Sequence, residues 1–136
     1  MKQITVQASI VGDLKKIWDY YTLPQHIIKW NFAADDWCCP KAKNDLKVGG
    51  KYTARMEAKD GSFGFDFECV YDEVVIQERI AYTIADGRKA SVDFDHKKGK
   101  TTVIVQFEAE EQNSPEMQQK GWQAILDNFK KYVEAN

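Results

Sequence analysis

From residue 3 the chain alternates, with Ile4, Val6, Ala8 and Ile10 on one side and Gln3, Thr5, Gln7 and Ser9 on the other. A period of two predicts a strand with one buried and one wet face. Gly12-Asp13 breaks it, and Asp13 is read as the N-cap of a helix with Leu14, Ile17, Trp18 and Tyr21 on one side. A second short helix begins at Pro24, whose missing amide hydrogen costs nothing in a first turn, and carries Ile27, Ile28 and Trp30. Residues 31–43 are the least regular and read as an ordered, mobile loop with one short strand at 37–39.

The period of two resumes at Lys51. Tyr52, Ala54, Met56 and Ala58 oppose Thr53, Arg55 and Glu57, and Asp60-Gly61 is a strong hairpin signal. Next come Phe63, Phe65, Phe67, Cys69 and Tyr71, alternating with Gly64, Asp66, Glu68 and Asp72. The phase continues in Ile80, Tyr82 and Ile84, then in Ala90, Val92 and Phe94 after the Asp86-Gly87 turn. After the polar turn at 97–100, Thr101, Val103, Val105 and Phe107 make the last apolar strand face. Successive strands joined by short turns predict an antiparallel meander, with Gly49-Gly50 as the bend that lets it curl.

Ser114-Pro115-Glu116 opens the final helix with a capping serine, a proline at the first helical position and an acid in the first turn. Met117, Trp122, Ile125, Leu126, Phe129, Tyr132 and Val133 form its expected core-facing stripe. Gly121 within it costs about 1 kcal/mol relative to alanine, and a close approach of helix to sheet is the expected compensation. The predicted class is α+β: a curved antiparallel sheet of about six or seven strands around one long helix, with a cavity between the layers.

With 136 residues and no repeat or linker, the chain reads as one domain, and 43% hydrophobic with 29% charged residues excludes a disordered composition. A formal net charge of -2 gives no electrostatic reason to expect nucleic acid or an anionic membrane as partner. Alternation directly after Met1-Lys2 argues against a signal peptide, and no apolar run approaches the roughly 18 residues of a membrane span. Cys38 and Cys39 are adjacent and Cys69 is isolated, so no disulfide framework is expected and a cytoplasmic setting fits.

Catalytic signals are thin. Alternation separates Asp93 and Asp95 from His96, His26 stands alone, and Cys38-Cys39 lack a second spaced pair for zinc. Gly49-Gly50 leads into a strand, not a helix N-terminus, so it is no phosphate loop. No metal, cofactor or catalytic set is predicted. Asp66 and Glu68 should face Arg55 or Lys89 as surface pairs worth at most about 1 kcal/mol. Inward polar candidates are limited to Tyr52, Tyr82 and Arg79.

Seven fragments in this order carry a family resemblance: Trp18, Pro24 with Trp30, residues 44–52 (NDLKVGGKY), Asp60-Gly61 before Phe65, residues 71–75 (YDEVV), residues 78–80 (ERI), and Gly121-Trp122 with Leu126. The chain resembles the SRPBCC (START-like) superfamily and, within it, the activator of heat-shock protein 90 ATPase homologue family. Ile76 stands where many members have proline, and Cys69 where glycine is common, so that Cys69 would fill part of the cavity. The resemblance implies a helix-grip fold. It implies a ligand cavity walled by Trp30, Phe65, Phe67, Tyr82, Val103, Val105, Trp122, Ile125 and Phe129, with Trp30 at the mouth and Trp122 deeper. Its implied partner is a small hydrophobic molecule, aromatic or lipid-like. A co-chaperone role on a chaperone surface and a cyclase- or hydrolase-type enzyme stay open beside non-enzymatic binding.

Overall fold

The computed structural model describes residues 2–136. The chain runs β1 (Gln3–Val11), α1 (Leu14–Thr22), α2 (Pro24–Trp30), β2 (Trp37–Asn44), β3 (Lys51–Ala58), β4 (Gly64–Val75), β5 (Arg79–Ile84), β6 (Lys89–Lys97), β7 (Lys100–Glu108) and α3 (Pro115–Ala135). The strands form one seven-stranded antiparallel sheet of order β1-β7-β6-β5-β4-β3-β2, curled as a half-barrel around α3. This is the predicted α+β helix-grip arrangement.

Register turns the alternation into rows of side chains across the sheet. One row runs Val6, Val105, Val92, Ile80 and Val74 from β1 to β4. Its neighbour runs Ile4, Phe107, Ala90, Tyr82 and Tyr71. On α3, Leu126, Phe129 and Val133 are buried. Ile10, Ile17, Ile27, Val92, Val103, Phe107, Phe129 and Val133 show essentially no exposure and form the packed part of the core. The Ser114 hydroxyl accepts the Met117 amide at 3.1 Å, capping α3 as expected.

Several expectations need correction. Residues 31–43 are not chiefly a loop, because β2 occupies Trp37–Asn44 and pairs with β3. Its register shifts between Cys38 and Lys41, around Pro40, and an edge strand tolerates both the bulge and the missing donor. Asp13 sits at the N-cap of α1 but makes no side-chain capping bond. Met117 is 61% exposed while Gln118 takes the buried position, donating to the carbonyls of Glu110 and Asn113 and accepting the Glu110 amide. A methyl group on Gly121 would meet no neighbour within 4 Å, so no close helix–sheet approach requires that glycine.

Gly49-Gly50 is a tight turn, not a bend within a strand. Gly49 has φ +83, and a Cβ on Gly50 would lie 2.0 Å from the Asp45 carbonyl oxygen. The turn is stitched to β4, with the Gly49 amide donating to Tyr71 O and the Tyr71 amide to Gly50 O. A second bulge, between Tyr71 and Glu73, brings Val74 back to the inner face and carries β4 to Val75. At the other end of β4 the burial fades: Phe63 and Phe65 are exposed at the hairpin tip. Among the described residues no helix is long and apolar enough to cross a membrane.

Candidate ligand cavity

Between α3 and the β3–β5 part of the sheet lies a cavity of about 290 Å³. Its sheet wall is built by alternation: Tyr52 and Met56 on β3, Phe65, Phe67, Cys69 and Tyr71 on β4, and Ile80 and Tyr82 on β5. Val105 of β7 extends that wall, and Trp122, Ile125 and Leu126 of α3 form the opposite one. Tyr21, Trp30 and Asn31 close the end where α1 and α2 pack, and Arg88 and Glu110 complete the lining.

Ring geometry keeps this space from filling. Phe67 meets Tyr52, Tyr82 and Trp122 edge-on, with centroids 6.2, 6.5 and 6.3 Å apart, and Tyr71 meets Tyr82 the same way at 6.3 Å. Edge-to-face contacts are favourable, yet flat plates set at right angles leave corners between them. Trp122 is held on its other side by stacking on Phe107 at 3.9 Å. Trp30 is fixed by its ring N–H, which donates to Tyr20 O at 2.9 Å, and by Asn128, whose amide donates to Trp30 O.

The wall is more polar than alternation suggested. Four phenols line it: Tyr21, Tyr52, Tyr71 and Tyr82. Tyr71 donates to Asn44 Oδ1 at 2.7 Å, and Asn44 Nδ2 donates in turn to Thr22 O at 2.7 Å. Asn31 Nδ2 donates to the Tyr52 hydroxyl at 3.2 Å. The hydroxyls of Tyr21 and Tyr82 have no partner among the described residues. Burial pushes all four phenols up from their ordinary value. Burial, with the nearby Asp72 carboxylate, raises the Cys69 thiol to about 12. All five groups are therefore neutral near pH 7, which makes them hydrogen-bonding groups and not bases or thiolate nucleophiles. The Arg88 guanidinium is occupied by Asp86 at 2.7 Å and by the Glu108 carbonyl at 3.1 Å.

Of the residues proposed as walls, Trp30, Phe65, Phe67, Tyr82, Val105, Trp122 and Ile125 do line the cavity. Val103 and Phe129 do not reach it: both are fully buried, and Phe129 is wedged against Trp30 and Tyr21 at 4.8 and 5.0 Å. Trp30 is only 3% exposed, so it closes the inner end and does not sit at a mouth, whereas Phe65 at 43% lies near solvent. Arg79 points away, paired with Glu73 and Asp93 on the outer face. Tyr21, Asn31 and Tyr71 escaped selection as walls, although Tyr21 and Tyr71 occupy positions that the helical and strand periodicities turn inward, and Cys69, expected to fill part of the cavity, lies on its lining. Among the described residues no group of three or more His, Cys, Asp or Glu side chains converges. Asp66 reaches Arg55 at 3.5 Å, as the pairing suggested, but Lys89 lies beside Asp72 at 3.9 Å.

A curled antiparallel sheet gripping a C-terminal helix around an aromatic cavity defines the helix-grip class. A family model described as activator of Hsp90 ATPase homolog 1-like protein matches residues 13–134, and the chain belongs to that family. It is similar to the AHSA1-like protein from Aeromonas hydrophila, solved by solution NMR, with 41% identity, TM-score 0.93, and 98% of this chain and 93% of that one covered. A protein from Cytophaga hutchinsonii is 48% identical over 98% of this chain and 93% of its own, with TM-score 0.84. A protein from Chromobacterium violaceum shares the fold, at 22% identity, TM-score 0.87 and full coverage of both chains. The search of curated proteins finds no match.

Proposed function

We propose that this protein binds a compact, largely apolar molecule in the cavity between α3 and the sheet, without chemistry on it. The observation that carries this reading is the about 290 Å³ space walled by aromatic rings inside an otherwise tightly packed core. That volume is at the lower end of the range of about 300–1,000 Å³ for small-molecule sites. It suits a short ring system better than a long acyl chain. The two ionised side chains on the lining are engaged by the protein itself, Arg88 by Asp86 and the Glu108 carbonyl and Glu110 by the Asn113 amide, which favours binding over turnover.

Trp30 and Trp122 both line the cavity and report on it. Planar apolar molecules should change tryptophan emission saturably, while nucleotides and charged metabolites should not. Val105→Trp should fill the space and abolish that response with the fold retained. Failure of every apolar probe to give saturation, in protein that melts cooperatively, would remove the basis of the reading.

A second reading draws on the family's description and on one surface feature. Trp37, Phe63 and Phe65 form an aromatic cluster at the β3–β4 tip, with Trp37 at 6.0 and 6.1 Å from the two phenylalanines, and both of these are exposed. Action on the Hsp90 ATPase would use such an outer face. Phe63→Ser should then reduce any stimulation of that ATPase, whereas Val105→Trp should leave it unchanged.

A further inference from the structure

The cavity's polar groups are arranged unevenly. Tyr82 is 8% exposed, lines the cavity, and its hydroxyl has no partner among the described residues. No buried side-chain nitrogen or oxygen of the described residues is sealed off unpaired, so this hydroxyl is accessible, on a side chain that lines the cavity. Tyr21, at the end closed by α1 and α2, is likewise without a partner among the described residues. Tyr52 accepts from Asn31 and so keeps its own O–H proton to give. Only Tyr71 commits its proton to the protein, at Asn44. Three hydroxyl protons thus remain for an occupant.

Resting on the binding reading above, we infer that the occupant carries an uncharged hydrogen-bond acceptor, a carbonyl oxygen on an apolar ring body, accepting from two of the three free hydroxyls of Tyr82, Tyr21 and Tyr52. One carbonyl oxygen has lone pairs for two donors, which a purely hydrocarbon ligand would leave unmatched. An ionised carboxylate does not fit the same place. Its charge would be buried among neutral phenols, and Arg88 is already engaged by Asp86 and the Glu108 carbonyl.

The test uses three probes of one ring size on the full chain: 2-acetonaphthone, 2-ethylnaphthalene and 2-naphthoate at pH 7, followed by amide chemical shifts. The ketone should bind about tenfold or more tighter than the hydrocarbon, the scale of two hydrogen bonds. Its carbonyl stretch should move to lower frequency in the complex. In Tyr82→Phe the carbonyl shift should shrink and the ratio of ketone to hydrocarbon affinity fall to about threefold or less. Ketone and hydrocarbon binding equally, with an unshifted carbonyl, would overturn the acceptor inference and leave the cavity reading standing. Tighter binding of naphthoate than of the ketone would also overturn it, in favour of an anion site. If none of the three binds, both fail together.

Discussion

One helix closes both halves of the sheet, and the halves end differently. Toward β6, β7 and β1, Val92, Val103, Phe107, Phe129 and Val133 interlock with no residual exposure. Toward β3, β4 and β5, the same layers enclose a cavity lined by Tyr52, Phe67, Tyr71 and Tyr82. Hydrophobicity does not separate them, since both halves are rich in aromatic and aliphatic residues. Shape and hydroxyls do. Branched aliphatic side chains pack at close to crystal density, whereas edge-on rings about the Phe67 hub leave gaps, and each phenol oxygen must meet a partner or an opening.

The largest contrast should appear on deleting a ring from each half. Phe129→Ala should cost about 3–5 kcal/mol in urea denaturation, because it opens a new hole in close packing. Phe67→Ala, at a half-buried ring that already borders empty space, should cost less than half of that. Equal losses would mean that the cavity half is as tightly packed as the other. Adding bulk tests the same point from the opposite side. Val103→Trp should destabilise by about 1–3 kcal/mol or more through overpacking, while Val105→Trp, directed at the cavity, should cost distinctly less.

Alkaline pH offers a subtler probe, since the titrating groups belong to the cavity half. The Cys69 thiol is raised from 9.0 to about 12, and the phenols of Tyr52 and Tyr82 lie well above 10.0. Above pH 9 the unfolded chain loses these protons first and the folded chain keeps them. Fewer protons bound in the unfolded state means that stability falls as pH rises. The urea midpoint should therefore decline from about pH 9 upward, and a Cys69→Ala, Tyr82→Phe double variant should decline less steeply. An unchanged slope would show that these groups are not desolvated as described. Smallest in effect is Gly121→Ala, which lies clear of both halves. With space for the methyl group, it should raise stability by about 0.5–1 kcal/mol on helix propensity alone, and a loss would reveal an unseen contact.

Much of this architecture was readable because its signals are local. Ile80, Tyr82 and Ile84 alternate as a strand requires, and Ser114-Pro115-Glu116 starts a helix by chemistry contained in three residues. β2 was less readable because Pro40 and the Cys38–Lys41 register shift break the alternation that defines a strand. The partner strand β3 supplies the order that the segment's own pattern lacks. The exchange of Met117 for Gln118 at the buried position has a similar origin. The loop carbonyls of Glu110 and Asn113 pull the amide inward, and no helical periodicity foresees them.

The sequence by itself determined the order of elements, the inner face of most strands and the helix that closes them, because period, caps and turns act over a few residues. It also placed Tyr21, Tyr71 and Cys69 on inward-facing positions. Tertiary structure alone decided that Val103 and Phe129 pack solidly while Val105 and Tyr82 border a cavity. It also decided which phenols spend their protons on Asn44 and which keep them. Those outcomes depend on curl, register and ring orientation across segments far apart in the chain, where one residue's shape sets the space left to another.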